Sequence, residues 1–168
     1  MNASPQAPAP ARWSSRPFSE ADRDAVLRLF TDPDFYFRDP HPDLLSEPEI
    51  VTLLGNAHVI EASDEPVGLY AVEPIGAEHG GHFRLDFRLR ADQPDSRWQA
   101  AYREIVGVLR DRTEVVRVTV QAAEFDHRLT GVLSGLGLTA EGLLANVVLH
   151  RGQRCGYRFF AEIWEPQA

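Results

Sequence analysis

A single α/β domain is predicted, in which a mixed central sheet carrying an antiparallel meander is flanked by helices and closed by a C-terminal hairpin. Three observations lead to it. Apolar residues recur at helical spacing before residue 58, alternate strictly from His82 to Arg90, and fill a β-branched run from Val115 to Gln121. The 168 residues are 43% hydrophobic and 25% charged, which suits one domain with its own core. A chain of this length buries roughly 70% of the surface its unfolded form exposes, so it folds without metals or disulfides.

Met1 to Ala11 holds three prolines and no hydrophobic period, so it reads as a disordered tail ahead of a domain over residues 12–168. Trp13 to Phe18 is a candidate first strand. Ser19 and Asp22 form a start signal for a helix with Ala25, Val26, Leu29 and Phe30 on one face, ending before Pro33. Thr31 to Asp43 has too many prolines to be regular, yet it carries three consecutive aromatics, the mark of a loop with something to cover. Ser46 and Glu49 form a capping box with Pro48 in the first turn, and Ile50, Leu53 and Leu54 supply the buried face of a second helix before Gly55.

From His58 the period becomes strand-like. His58 to Ala62 and Pro66 to Val72 flank the turn Ser63-Asp64-Glu65 as a hairpin, and His82 to Arg90 is the third meander strand. Phe83, Leu85, Phe87 and Leu89 share one face of it; His82, Arg84, Asp86, Arg88 and Arg90 share the other. Asp95 or Ser96 caps a helix to about Arg112, with Trp98, Ala101, Ile105 and Leu109 inward. Val115 to Gln121 is a central strand. Asp126 caps a short helix with Leu129, Val132, Leu133 and Leu136 inward, stopped by Gly137. Gly142 to His150 and Arg154 to Trp164 flank Arg151-Gly152-Gln153 as the final hairpin.

Composition excludes several chemistries. All 17 basic residues are arginine, so lysine Schiff bases, pyridoxal-phosphate anchoring and Walker A phosphate binding are ruled out. One cysteine, Cys155, excludes a disulfide framework and makes a reducing cytoplasm the default compartment. The net charge of -8 repels a phosphate backbone, so no nucleic acid partner is expected. No apolar run spans a bilayer, and no membrane partner is expected. Gly135-Leu-Gly-Leu-Thr-Ala140 matches a dinucleotide fingerprint but ends a helix instead of joining strand to helix. His79-Gly-Gly-His82 lies in a glycine-rich connection that denies helical ligand geometry, and no metal is expected.

The order strand, two helices, meander, long helix, strand, short helix and hairpin resembles the GNAT superfamily of N-acetyltransferases from Trp13 to Trp164. The most specific local likeness is Asp126-His-Arg-Leu-Thr-Gly-Val-Leu-Ser-Gly-Leu-Gly-Leu-Thr-Ala-Glu-Gly142. It is similar to the family's closing helix, its Leu-Gly-Phe stop and its Glu-Gly lead-in to the last hairpin, with Leu138 where the family has Phe. The resemblance implies a GNAT-like acyltransferase domain that moves an acyl (acetyl) group from a thioester such as acetyl-CoA, or another acyl-CoA, to the amine of a small molecule.

It also implies that the donor pyrophosphate sits on backbone amides between the third meander strand and the long helix, where orphan donors and the helix dipole favour an anion. Arg90, Ser96, Arg97, Trp98 and Gln99 are therefore the donor-binding candidates. Two departures stand out. The segment Arg90 to Ala100 has no glycine and carries Asp92 and Asp95, the wrong sign for a diphosphate. The family's tyrosine acid, four residues before the stop glycine, corresponds to Leu133, which holds no proton to donate. Asp86 and His82, on the polar face of the third meander strand, are the catalytic candidates. Asp86 flanked by arginines is a better salt-bridge partner than a base, and His82 suits proton abstraction better. Tyr36, Arg38 and His41 of the aromatic loop, with Tyr70, are the substrate-binding candidates, since the family's acceptor pocket is implied to lie under the segment joining its first two helices.

Three functions follow: acyl-CoA-dependent transfer to a small amine; the same fold with another donor, an acyl carrier protein or an aminoacyl ester, or with repurposed chemistry; and a non-catalytic binding module. A homodimer is compatible with each. Because the tail has nothing to bury, deleting Met1 to Ala11 is expected to move Tm by less than about 2 °C in a thermal melt; a drop of several degrees would contradict its assignment as a tail.

Overall fold

The computed structural model describes residues 13–76 and 80–165; the tail expected at Met1 to Ala11, and His79, lie outside the described residues. The strands are β1 (Trp13–Pro17), β2 (His58–Ala62), β3 (Glu65–Pro74), β4 (His82–Leu89), β5 (Arg117–Ala123), β6 (Thr139–His150) and β7 (Gln153–Ile163). The α-helices are α1 (Arg23–Leu29), α2 (Glu47–Leu53), α3 (Asp95–Arg112) and α4 (His127–Gly135). All seven strands join one sheet in the order β1-β2-β3-β4-β5-β7-β6. Every neighbouring pair is antiparallel except β4 and β5, so the sheet is mixed and contains the expected meander.

Side-chain alternation gives the sheet two apolar faces. Leu85, Phe87 and Leu89 of β4 join Trp98 and Tyr102 of α3 and Leu129, Val132 and Leu133 of α4 in one core. Val59, Leu69 and Ala71 join α1, α2 and the buried rings of Phe35 and Phe37 in the other. Asp86 stands opposite Ala71, so the polar side of β4 looks toward α1 and α2. Gly68 is where β3 comes close to β4: a Cβ there would collide with the Arg88 carbonyl.

Local signals act largely where expected. Asp126 caps α4 by accepting a bond from the Leu129 amide at 3.0 Å. Ser46 and Glu49 close their capping box on α2, and Gly137 adopts the left-handed φ of +84° that ends α4. Several boundaries differ, β6 starting at Thr139 and β3 running on to Pro74, and three of the differences have a local cause. Ser19 and Asp22 start a single 3-10 turn, and α1 begins only at Arg23, because Asp22 also binds Arg16 through two bonds of 2.6–2.7 Å. The residue at the α3 N-cap is Pro94, with Asp95 already inside the helix, where it pairs with Arg128. The strand expected at Val115 to Gln121 runs two residues later, its start delayed because the Val116 and Arg117 amides both bond the Gly81 carbonyl.

No described helix is long and apolar enough to cross a membrane. Val118 is fully buried on β5, which has partners on both edges. A carboxylate there lacks a counter-charge, at a cost of about 3–5 kcal/mol, a large part of a typical stability of about 5–15 kcal/mol. Val118→Asp is therefore expected to yield unfolded or insoluble protein by circular dichroism, and a native spectrum would contradict the central placement of β5.

Candidate active site

The one parallel contact in the sheet is short. β4 and β5 pair only from His82 with Arg117 to Arg84 with Thr119, although β4 continues to Leu89 and β5 to Ala123. Each keeps its outer partner, β3 and β7, through its full length, so the two strands part while both remain anchored. Where they separate lies a solvent-open cavity of about 400 Å³, with Asp86 and Phe87 on one wall and Gln121 to Ala123 on the other. The segment Tyr36 to Pro40, between α1 and α2, covers it, and Tyr157 reaches it from β7.

The cover is held by charge and by buried rings. Arg38, at a left-handed φ of +59°, donates from Nε to Asp86 at 2.8 Å, from Nη2 to Glu73 at 2.5 Å and from Nη1 to the Leu53 carbonyl at 2.8 Å. Arg84 donates to the other Glu73 oxygen at 2.6 Å and lies 3.5 Å from Asp86. Two guanidiniums thus neutralise two carboxylates, and they join the cover to β3 and β4. Phe35 and Phe37 meet Phe30 edge-on, with ring centroids 5.4 and 6.5 Å away, which gives the strained cover an apolar base.

Two further groups line the cavity. Asp39 accepts a bond from the His41 amide at 2.7 Å, and among the described residues no arginine or histidine side chain forms an ion pair with it. Tyr157 is half-buried; burial first, and then the charge of Asp39, pushes its phenol above the ordinary tyrosine range. A protonated hydroxyl and an unneutralised carboxylate therefore share one site.

Of the residues singled out from the sequence, Tyr36, Arg38 and Asp86 meet at this cavity. His82 does not: it sits at the paired end of the strands, with Nε2 2.8 Å from Thr119 Oγ1. Burial, then the Arg117 charge, lowers its pKa, which leaves it neutral but outside the cavity. His41 lines a neighbouring cavity of about 620 Å³ and stacks on His150 with centroids 6.1 Å apart. Tyr70 does not line the cavity either; it stacks on His58 on the α3 side of the sheet. Asp39 and Tyr157 were not anticipated. Asp39 stands within the aromatic loop already singled out, whereas nothing local announces that Tyr157 on the last strand comes beside β5.

The segment preceding α3 does not suit a diphosphate. Asp92 is bonded to Arg90 at 2.9 Å and to Gln93 at 3.0 Å, Arg97 to Gln93 at 2.8 Å, and Arg128 to Asp95 at 2.9 Å and to the Gln93 carbonyl. Pro94 has no N–H to offer at the N-cap, and the Arg97 and Trp98 amides already bond its carbonyl. The Trp98 side chain is fully buried in the core, where it cannot reach a ligand. Ser96 is exposed, and neither it nor Gln99 lines the cavity. Among the described residues no group of three or more His, Cys, Asp or Glu is placed to hold a metal ion.

Arg38→Ala removes three charge-assisted bonds from a side chain only 13% exposed. At about 2–4 kcal/mol in total, and about 2–4 °C per kcal/mol for a domain of this size, Tm should fall by about 4–16 °C. Amide exchange should accelerate across residues 34–40, and unchanged exchange there would refute the anchoring role.

No family model matches the chain, and no curated relative matches it either. Solved structures do. The ribosomal L7/L12 alpha-N-protein acetyltransferase RimL, in complex with coenzyme A, superposes with a TM-score of 0.72 at 16% identity over 90% of this chain and 93% of its own. A GNAT-family acetyltransferase from Bacillus anthracis gives 0.67 at 12% identity, covering 92% of this chain and 96% of its own. A spermidine N-acetyltransferase SpeG chimera from Vibrio cholerae and hSSAT gives 0.74 at 12% identity, covering 90% and 95%. At these identities the likeness is one of architecture, and the seven-stranded mixed sheet with its four helices is the fold of the GNAT N-acetyltransferases.

Proposed function

We propose that the chain is an N-acyltransferase that moves an acyl group, acetyl in the simplest case, from a thioester donor of the acyl-CoA class to the amine of a small molecule. The observation that carries this reading is the cavity between the parted ends of β4 and β5, which Asp39 and Tyr157 both line, with the Asp39 charge felt by the phenol. The coenzyme A bound to RimL supports a thioester donor, and the spermidine enzyme supports an amine acceptor.

The chemistry asks three things of the protein. An amine arrives as an ammonium ion, and Asp39 supplies the negative charge that draws it in. Once a proton has passed to solvent, the nitrogen lone pair forms a bond to the acyl carbon as the carbon–sulfur bond breaks. The departing sulfur takes a proton from Tyr157, and the phenol regains one from the newly acylated nitrogen. One hydrogen has then moved from nitrogen to sulfur. Asp86, its oxygens facing Arg38 and Arg84, holds the cover in place while this occurs. The misfit of the segment before α3 with a diphosphate favours a second reading, in which the thioester is carried by an acyl carrier protein.

The test is thiol release from acetyl-CoA and acetyl-pantetheine in the presence of small amines, with mass spectrometry of the acylated product. Asp39→Asn should raise KM for the amine about tenfold with little change in kcat, and Tyr157→Phe should lower kcat about 100-fold. Since the Tyr157 pKa is raised, the wild-type rate should climb with pH as the amine loses its proton, and hold until above the ordinary tyrosine value of about 10. A rate that falls below pH 9, or thiol release indifferent to amine, would sink this assignment.

A further inference from the structure

Arg88 stands where β4 and β5 have already parted, four residues beyond Arg84, the last β4 residue paired with β5. Its guanidinium bonds the carboxylate of Asp126, the residue that caps α4, and each side chain is only 3% exposed. A buried ion pair therefore bridges the ends of the two separated strands. On one side the guanidinium lies 5.2 Å from the Tyr36 ring, part of the cavity wall; on the other it lies 5.3 Å from the Trp98 ring, in the first turns of α3. Nη2 also donates to the Asp34 carbonyl at 2.6 Å, which ties the same group to the cover. A cation held by β4, α4, α3 and the α1–α2 segment thus lies between a ring of the cavity wall and the first turns of α3.

The filling is not an optimal core. Arg88 Nε and the indole N–H of Trp98 are buried without any protein partner, although such groups are nearly always satisfied. An ion pair in this position is also seldom the most stable choice, since apolar residues of similar volume often match or exceed it. Beyond Arg88, the turn before α3 spends its polar groups on itself, through Arg90 with Asp92 and Arg128 with Asp95. The space between the cavity wall and α3, and the turn before α3, are therefore both taken up by ion pairs made within the protein.

We propose that Arg88 is a specificity-determining residue for the donor: with the Arg88–Asp126 pair in place, the protein recognises the acyl and pantetheine part of a thioester, entering from the solvent-open side of the cavity, and seats no nucleotide diphosphate at α3. This rests on the acyl-transfer reading above and narrows its substrate class. The donor it fits is a pantetheine thioester whose far end remains outside the protein.

Calorimetry on the full chain with coenzyme A and with pantetheine tests the proposal. The two dissociation constants should agree within about threefold, because removing the nucleotide removes no contact. Coenzyme A binding about tenfold tighter or more would overturn it. Hydrogen exchange with coenzyme A bound should show protection at residues 36–40 and 121–123 and none at 90–98; protection of 90–98 would also overturn it. In the double variant Arg88→Met with Asp126→Asn, both charges leave together and the cap is kept, so neither partner is stranded in the core. With the ion pair gone from between the cavity wall and α3, coenzyme A should gain at least about fivefold over pantetheine relative to wild type; an unchanged ratio in the folded variant would remove Arg88 from the role. If the variant does not fold, the wild-type ratio and exchange pattern decide. Wild-type protein that binds neither probe and releases no thiol with any amine overturns the acyl-transfer reading itself, whereas preference for coenzyme A with active transfer overturns only the assignment to Arg88.

Discussion

Everything at the candidate site depends on a parallel contact three residue pairs long. Elsewhere the strands run antiparallel to their neighbours, but β4 and β5 are joined only from His82 to Arg84 and then diverge. Backbone groups inside a protein need partners, so two strands cannot simply be prised apart in a core. Here each keeps a full ladder on its outer edge, to β3 and to β7, and the inner edges face a cavity. The consequence is a site built on paired strands, beneath a cover in which Asp34 and Arg38 both hold positive φ.

A chain without lysine builds this site from arginine, and the geometry uses what arginine alone provides. Arg38 spreads its planar donors over two carboxylates and a carbonyl. Arg88 holds a carboxylate and a carbonyl while its guanidinium lies over two aromatic rings. A compact ammonium could serve neither arrangement, since it lacks the fork and the faces. With these pairs made, the charge left over in the cavity is that of Asp39, and the local field favours a cation in a protein that is acidic overall.

The apparent loss of chemistry at Leu133 also has a structural reading. Leu133 is fully buried in the α3-side core, where a tyrosine hydroxyl would need a partner. Tyr157 stands on β7, which pairs with the whole length of β5, and places a phenol at the cavity.

What the residues determine by themselves is local. Alternation in β4, the Ser46–Glu49 box, the Asp126 cap and the stop at Gly137 all act within a few residues, and each is realised where the sequence places it. The order of elements follows from these signals, and with it the fold. Tertiary structure decided the rest, because it depends on which distant segments touch. Trp98 and Tyr70 carry polar atoms that sequence reasoning sent to a binding site, yet packing puts the first in the core and the second on the opposite face. Arg88, one arginine among several on a polar strand face, becomes a buried bridge only because Asp126 stands beside it across 38 residues of chain. Asp39 and Tyr157 become a pair only because the sheet brings β7 next to β5 beneath the α1–α2 segment. Periodicity records which face of an element is apolar; it holds no record of the neighbour that face will meet.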